Sequence, residues 1–249
     1  MKKRAIINLI LPIVAVVCIV IIWAISASAI DNEYILPSVS ETIKSVFELF
    51  SDGKFYLSFS LTLFRSFIAF LISFVIAFLL AVLSEKLKHA ERVIAPIISI
   101  TRALPTIAVV LLLLFWTNSL IAPIVVTTLV VLPTQYTHLR SAFGALDKTV
   151  LEAGRVDGAD EKRVFRYIQL PLTLPAIYSG IGSGISLNFK LMVAAEVLSQ
   201  TANSIGFMLS TSKAYFEIAE MMALVVVAVI FGVVIEAIFN RLSKKAFDF

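Results

Sequence analysis

The sequence predicts an all-α membrane protein with about six transmembrane helices and both termini in the cytoplasm. Of 249 residues, 59% are hydrophobic and 15% charged, with a mean hydropathy of +0.97, more apolar surface than one soluble domain of this length can bury. Apolar runs near the ~20 residues that cross a bilayer recur along the chain, joined by short polar connections. Lys and Arg divide unevenly between alternate connections: with both termini on one side, fifteen fall there, and only Lys44, Lys54 and Lys213 fall on the other. The excess of basic residues on cytoplasmic connections then sets the orientation.

The first span is read from Ala5 to Ile25, 21 residues in which Asn8 is the only polar one. It exceeds the roughly 7–15 apolar residues of a signal peptide and is expected to be retained, although "ASA" at 27–29 imitates a cleavage site. The next stretch, "DNEYILPSVSETIKSVFELFSDGKFY", breaks at Pro37 and Gly53. Within it Ser38 or Ser40 caps a helix over 38–51 whose Val39, Ile43, Val46, Phe47 and Phe50 follow helical spacing, so a helix on the outer membrane surface is expected. The second span runs about Tyr56 to Leu83 and the third about Val93 to Trp116, with Pro105 able to bend it. A turn at "TNS" (117–119) leads to the fourth, about Leu120 to Leu139. The fifth occupies about Leu172 to Leu198, an amphipathic outer connection covers 199–219, and the sixth runs about Met221 to Phe239.

Between the fourth and fifth spans the composition changes abruptly, with eight charged residues from Glu152 to Arg166. Asp147 caps a helix through "KTVLEAGRV", and Gly158 stops it. Asp160 caps a second helix, "EKRVFRYIQL", which Pro171 is expected to end. This is a helix–glycine–helix elbow, with small residues at Ala153, Gly154, Gly158 and Ala159 that let another backbone approach. An amphipathic pair resting on lipid headgroups is the competing account of the same residues.

"EAGRVDGA" followed by "YIQLPLTLPAI" resembles the EAA loop of permease subunits of ATP-binding-cassette importers. "RALPTIAVVLLLLFW" and "AAEVLSQTANSIGFML" extend the similarity to the branch serving nitrate, aliphatic sulfonates, taurine and thiamine-precursor pyrimidines, over about Ser58 to Lys245. Gly154 departs from the motif, which has alanine there. The resemblance implies one MetI-like permease domain over 1–249, with a core at 58–245 and a coupling loop at 147–171. It implies that Glu152, Ala153, Gly154 and Gly158, with Asp157 and Ala159 beside them, dock on a separate ATPase, and that Leu170 and Pro171 fix the return into the fifth span. The implied partners are two ATPase subunits, an extracellular or periplasmic solute-binding protein on the 31–55 and 199–219 segments, and a second permease copy, all at the inner membrane.

An ionised group near the bilayer centre costs ~2.5–3.5 kcal/mol on insertion scales and therefore faces protein or water. Arg65, Arg102, Lys190 and Glu196 fall inside spans, and Pro105 follows Arg102. Arg102 and Glu196 either brace helices through buried pairs or line a pathway. Lys190, with no acidic residue three or four positions away on its helix, reads as a pathway residue. Three bases against one deep acid suit an anionic solute.

No P-loop, G-x-x-x-x-G-K-[ST], occurs, so ATP hydrolysis is assigned to another chain. "GIGSGIS" at 180–186 lies in an apolar span, where Gly180 and Gly184 are spaced for helix packing. A lone Cys18 and the separated His89 and His138 give no metal set, no catalytic group assembles on one face, and no cofactor or nucleic acid is expected. A secondary transporter or channel working without an ATPase is the competing class, and a plain membrane anchor is a third.

Overall fold

In the computed structural model, which describes residues 2–156 and 159–247, every regular element is helical. In chain order these are α1 (Lys2–Ile30), α2 (Val39–Ser51), α3 (Gly53–Lys86), α4 (Lys88–Ala103), α5 (Thr106–Trp116), α6 (Ala122–Gly144), α7 (Lys148–Val156) and α8 (Glu161–Val164). A π-helical turn, Phe165–Gln169, leads into α9 (Leu170–Ser199), and α10 (Ile205–Ala214) and α11 (Ile218–Phe247) complete the chain.

Helices α3, α6 and α9 pack together at the centre, with α11 against α9. Small residues allow the approach. Ala69, Ala77 and Ala81 of α3 are fully buried, and three glycines of α9 each receive a neighbour. Gly180 lies under His138, Gly184 under Gln135 and Phe70, and Gly182 under Phe239 of α11. The glycine run of α9 is thus a packing surface. Ile94, Ile98, Tyr136, Leu139, Phe143 and Ile177 form the core at one end of the bundle. At the other, Leu49, Phe55, Phe189, Val193, Ile205 and Leu224 do so. Helix α1 stands at the edge, where Trp23 Nε1 donates to the Pro37 carbonyl at 3.1 Å and Val16, Ile19 and Ile22 point outward.

Among the described residues three helices are long and apolar enough to cross a membrane: Gly53–Lys86, Glu161–Ser199 and Ile218–Ser243. The expected third span is not one rod but two, α4 and α5, bent by 92° at Leu104–Pro105, and counts as a fourth crossing only if the pair is taken together. Proline lacks the N–H that would continue α4 and restricts the residue before it to extended backbone, as Leu104 shows with φ −66° and ψ 126°. Helix α6 has 23 residues but carries Thr127, Thr128, Gln135, Tyr136, Thr137 and His138. Burial between α3 and α9, not an apolar surface, places it in the bundle.

The packing shows which residues of α2 meet the bundle, and it corrects the expectation at Pro171. On α2 the cap is Ser38, in a full capping box with Glu41, but the helix buries Thr42 and Leu49 and leaves Ile43, Phe47 and Phe50 outward. Val46 packs against the Leu49 cluster, while Ile43, Phe47 and Phe50 face away from the bundle. Pro171 ends nothing: the helix runs without a gap from Glu161 to Ser199. A proline removes one i to i−4 bond and crowds the preceding turn. The wider π turn just before it makes room, so the chain passes Pro171 unbroken.

Candidate functional site

The elbow between α6 and α9 lies at the bundle end opposite α2 and α10. Asp147 opens α7 by accepting from the Thr149 backbone N–H at 2.9 Å, and this bond, followed by one from the Thr149 side chain, holds its carboxyl below the usual range. The Ala159 N–H donates to the Gly154 carbonyl at 3.1 Å. Asp160 then caps α8, accepting from Arg163 N–H at 2.8 Å.

Of the residues expected to meet an ATPase, Glu152 and Ala153 are exposed and Ala159 half-buried. Gly154 is buried on the inner side of the elbow, where a Cβ would sit 2.5 Å from Ile168 Cδ1. The close atom is the movable end of a side chain, so this space is small but yielding. Leu170 is half-buried, packed against the core, and Pro171 is exposed. Asp157 and Gly158 lie outside the described residues.

Charge groups that the sequence left unassigned hold the elbow to the bundle. Arg140, near the end of α6, pairs with Glu85 in the last turn of α3 and with Glu91 in α4, the latter at 3.0 Å. The other oxygen of Glu85 accepts from Gln169 Nε2 at 2.9 Å, and Gln169 is the buried last residue of the π turn. Next to it the Lys86 ammonium lies 5.0 Å from the centroid of the Phe165 ring. Opposite charges at three span ends facing one side were the available signal, but their pairing depends on which helices are neighbours.

Glu196 is fully buried in α9, and its partner is Arg65 of α3, not Arg102. The Arg65 guanidinium donates to Glu196 Oε1 at 2.9 Å, and to the Asn203 and Ala202 carbonyls at 3.5 and 3.4 Å. Thr62 Oγ1 donates to Glu196 Oε2 at 2.9 Å and accepts from the Ile205 N–H at 3.0 Å. One ion pair thus braces two spans and fastens the loop entering α10, in which Gln200 and Asn203 hold left-handed backbone at φ 50°.

Arg102 and Lys190 are sorted the other way. Arg102 is exposed on α4 and, with no acidic partner among the described residues, reaches across to Thr137 Oγ1 at 2.6 Å and the Pro133 carbonyl at 3.4 Å of α6. Pro105 is exposed at the bend just beyond. Lys190 is exposed on α9 with its stem beside Gly232 of α11, also without an ion pair among the described residues. The two bases are therefore seated against different helices. No group of three or more His, Cys, Asp or Glu side chains that could hold a metal occurs among the described residues.

Comparison with known proteins follows this geometry. The family described as "Binding-protein-dependent transport system inner membrane component" matches residues 85–246. The riboflavin transport system permease protein RibX of Chloroflexus aurantiacus is 26% identical over 189 residues, covering 74% of this chain and 69% of that protein. SsuC of Bacillus subtilis, a transport permease protein whose name assigns it to aliphatic sulfonates, is 20% identical over 240 residues, covering 96% and 85%. An inward-facing structure of the MetNI methionine ABC transporter has a chain that superposes with a TM-score of 0.65 at 20% identity, over 74% of this chain and 92% of that one.

Proposed function

Since the chain belongs to the family of binding-protein-dependent transport system inner membrane components, we propose that it is the permease subunit of an ATP-binding-cassette importer, forming with a second copy the pathway for a small solute. The carrying observation is the elbow: two short capped helices stand off one end of the bundle, expose Glu152 and Ala153, and are bonded through Gln169 and Glu85 to the membrane helices. That is the arrangement needed to receive force from a soluble partner. The partner is an ATPase subunit on each permease copy, since the chain has no P-loop.

A solute-binding protein docks at the opposite end, where residues 33–52 and 216–220 meet around open surface lined by Glu33, Glu48, Glu217 and Glu220. Arg102 and Lys190, exposed and without ion pairs among the described residues, are costly against lipid and belong to a watered face covered by the second copy. Two copies double these bases, which favours an anionic solute of the sulfonate, nitrate or taurine kind. Thiamine-precursor pyrimidines, and a flavin like that in the RibX name, are the competing substrates. A secondary transporter or channel would need no docking elbow and would work without an ATPase.

The test is co-purification with the ATPase subunit. Wild type is expected to retain it, and Glu152→Ala with Ala153→Arg to lose it while remaining monodisperse in detergent. Retention by the variant would refute the docking assignment, and uptake by the permease alone would refute the importer reading. For the pathway, Lys190→Gln is expected to lower uptake of an anionic solute at least about fivefold with ATPase association unchanged.

A further inference from the structure

We propose that Arg140, with Glu85, Glu91 and Gln169, is the joint through which elbow movement reaches the membrane helices, a positioning cluster for coupled transport. The inference rests on the importer reading above. One guanidinium, its side chain 20% exposed, holds the ends of α3 and α4 to α6, and the Glu85 carboxylate passes that hold to Gln169 in the π turn. Four helical elements therefore meet in one set of charge-assisted hydrogen bonds, of a kind that depends on geometry as well as charge.

What surrounds the cluster makes those bonds decisive. A cavity of about 580 Å³ separates the end of α3 from α7 and α8, lined by Glu85, Lys86, Leu151, Glu161, Val164 and Phe165. Close packing alone does not lock the elbow there. The apolar contact that does cross runs through rings: Phe165 lies 5.8 Å from Phe143, and Phe143 lies 6.4 Å from Phe78 of α3. Rings can slide over one another, whereas Gln169 to Glu85 to Arg140 fixes distance and direction. The π turn sits at this point, a distortion that recurs at functional sites.

The experiment uses the full complex of permease, ATPase subunit and solute-binding protein reconstituted in liposomes, with ATPase association, ATP hydrolysis and solute uptake measured on each preparation. Arg140→Gln and Gln169→Leu are expected to keep the ATPase bound and to keep hydrolysing ATP, while ATP consumed per solute rises about tenfold, the size of an ordinary coupling energy. Arg140→Lys, which keeps the charge but not the fork, should fall between. Gln169→Leu removes a single hydrogen bond and leaves the ion pairs, so it reports even if Arg140→Gln does not fold. If association holds and ATP consumed per solute is unchanged in Gln169→Leu and the folded Arg140 variants, the joint is refuted while the importer reading stands. Failure of the wild-type permease to bind the ATPase refutes both.

Discussion

The Arg65–Glu196 pair gives the most quantitative test of how the fold is held. Replacing Glu196 by Leu leaves the Arg65 guanidinium facing two carbonyls and no carboxylate, and it removes the acceptor of Thr62 Oγ1. Replacing Arg65 by Met instead leaves a buried carboxylate with a hydroxyl and a distant backbone N–H. Breaking a buried pair from either side costs about 3–5 kcal/mol, because the surviving charge is uncompensated. For a chain of this size that is a fall in melting temperature of roughly 6–20 °C. Removing both charges avoids the orphan, so the double variant should lose clearly less than the sum of the singles. Thermal unfolding in detergent, followed by far-UV circular dichroism, reads all four corners of the cycle. Amide exchange of Ile205 and Gly206 should also quicken in Arg65→Met, since the loop loses its anchor. Additive singles, or singles that melt with wild type, would refute the argument that this pair ties α3, α9 and the loop entering α10 together.

Other consequences are simpler to state. Gly182→Ala places a Cβ 2.5 Å from Phe239 Cβ, an atom fixed to its backbone, and should destabilise by about 1–3 kcal/mol. Gly144→Ala, with open space around it, should stay within about 0.5 kcal/mol, and equal melting temperatures for the two would contradict the packing. Gly154→Ala meets only the movable end of Ile168 and gains helix propensity of up to ~1 kcal/mol. ATPase co-purification should therefore be kept, and its loss would place Gly154 on the docking surface. The lowered Asp147 carboxyl stabilises the start of α7 above the ordinary aspartate range, and that contribution fades only as pH falls through its lowered value. ATPase association should thus be flat from about pH 8 to pH 5 in wild type, and a loss in that window that disappears in Asp147→Ser would refute the assignment.

Features set by neighbours in sequence were legible before the structure. Ser38 and Asp160 cap where their side chains reach a backbone N–H three residues on, and Pro105 bends the chain because its effect is local. What depends on which helices touch was not legible. Glu196 could be seen to need a cation, but choosing Arg65 across 131 positions over Arg102 requires the packing of α3 on α9. The outward face of α2 is not legible for a related reason, since it depends on how α2 packs against its neighbours, α11 foremost. Pro171 misled because a π turn, which has no sequence signature of its own, removes the conflict that would have ended the helix. Glu85, Arg140 and Gln169 are unassigned in the sequence because two charges and a neutral amide look like ordinary span-end residues until three helix ends converge.

The uninterrupted helix from Glu161 to Ser199 spans 39 residues, about 58 Å at 1.5 Å per residue. Its tightest crossings, at Gly180, Gly182 and Gly184, fall near the middle, leaving arms of roughly 32 and 26 Å on either side. On the importer reading proposed above, a push on the elbow that tilts this rod would carry the Arg65–Glu196 pair with it, and so the end of α3 and the loop entering α10, letting one displacement reach both ends of the bundle.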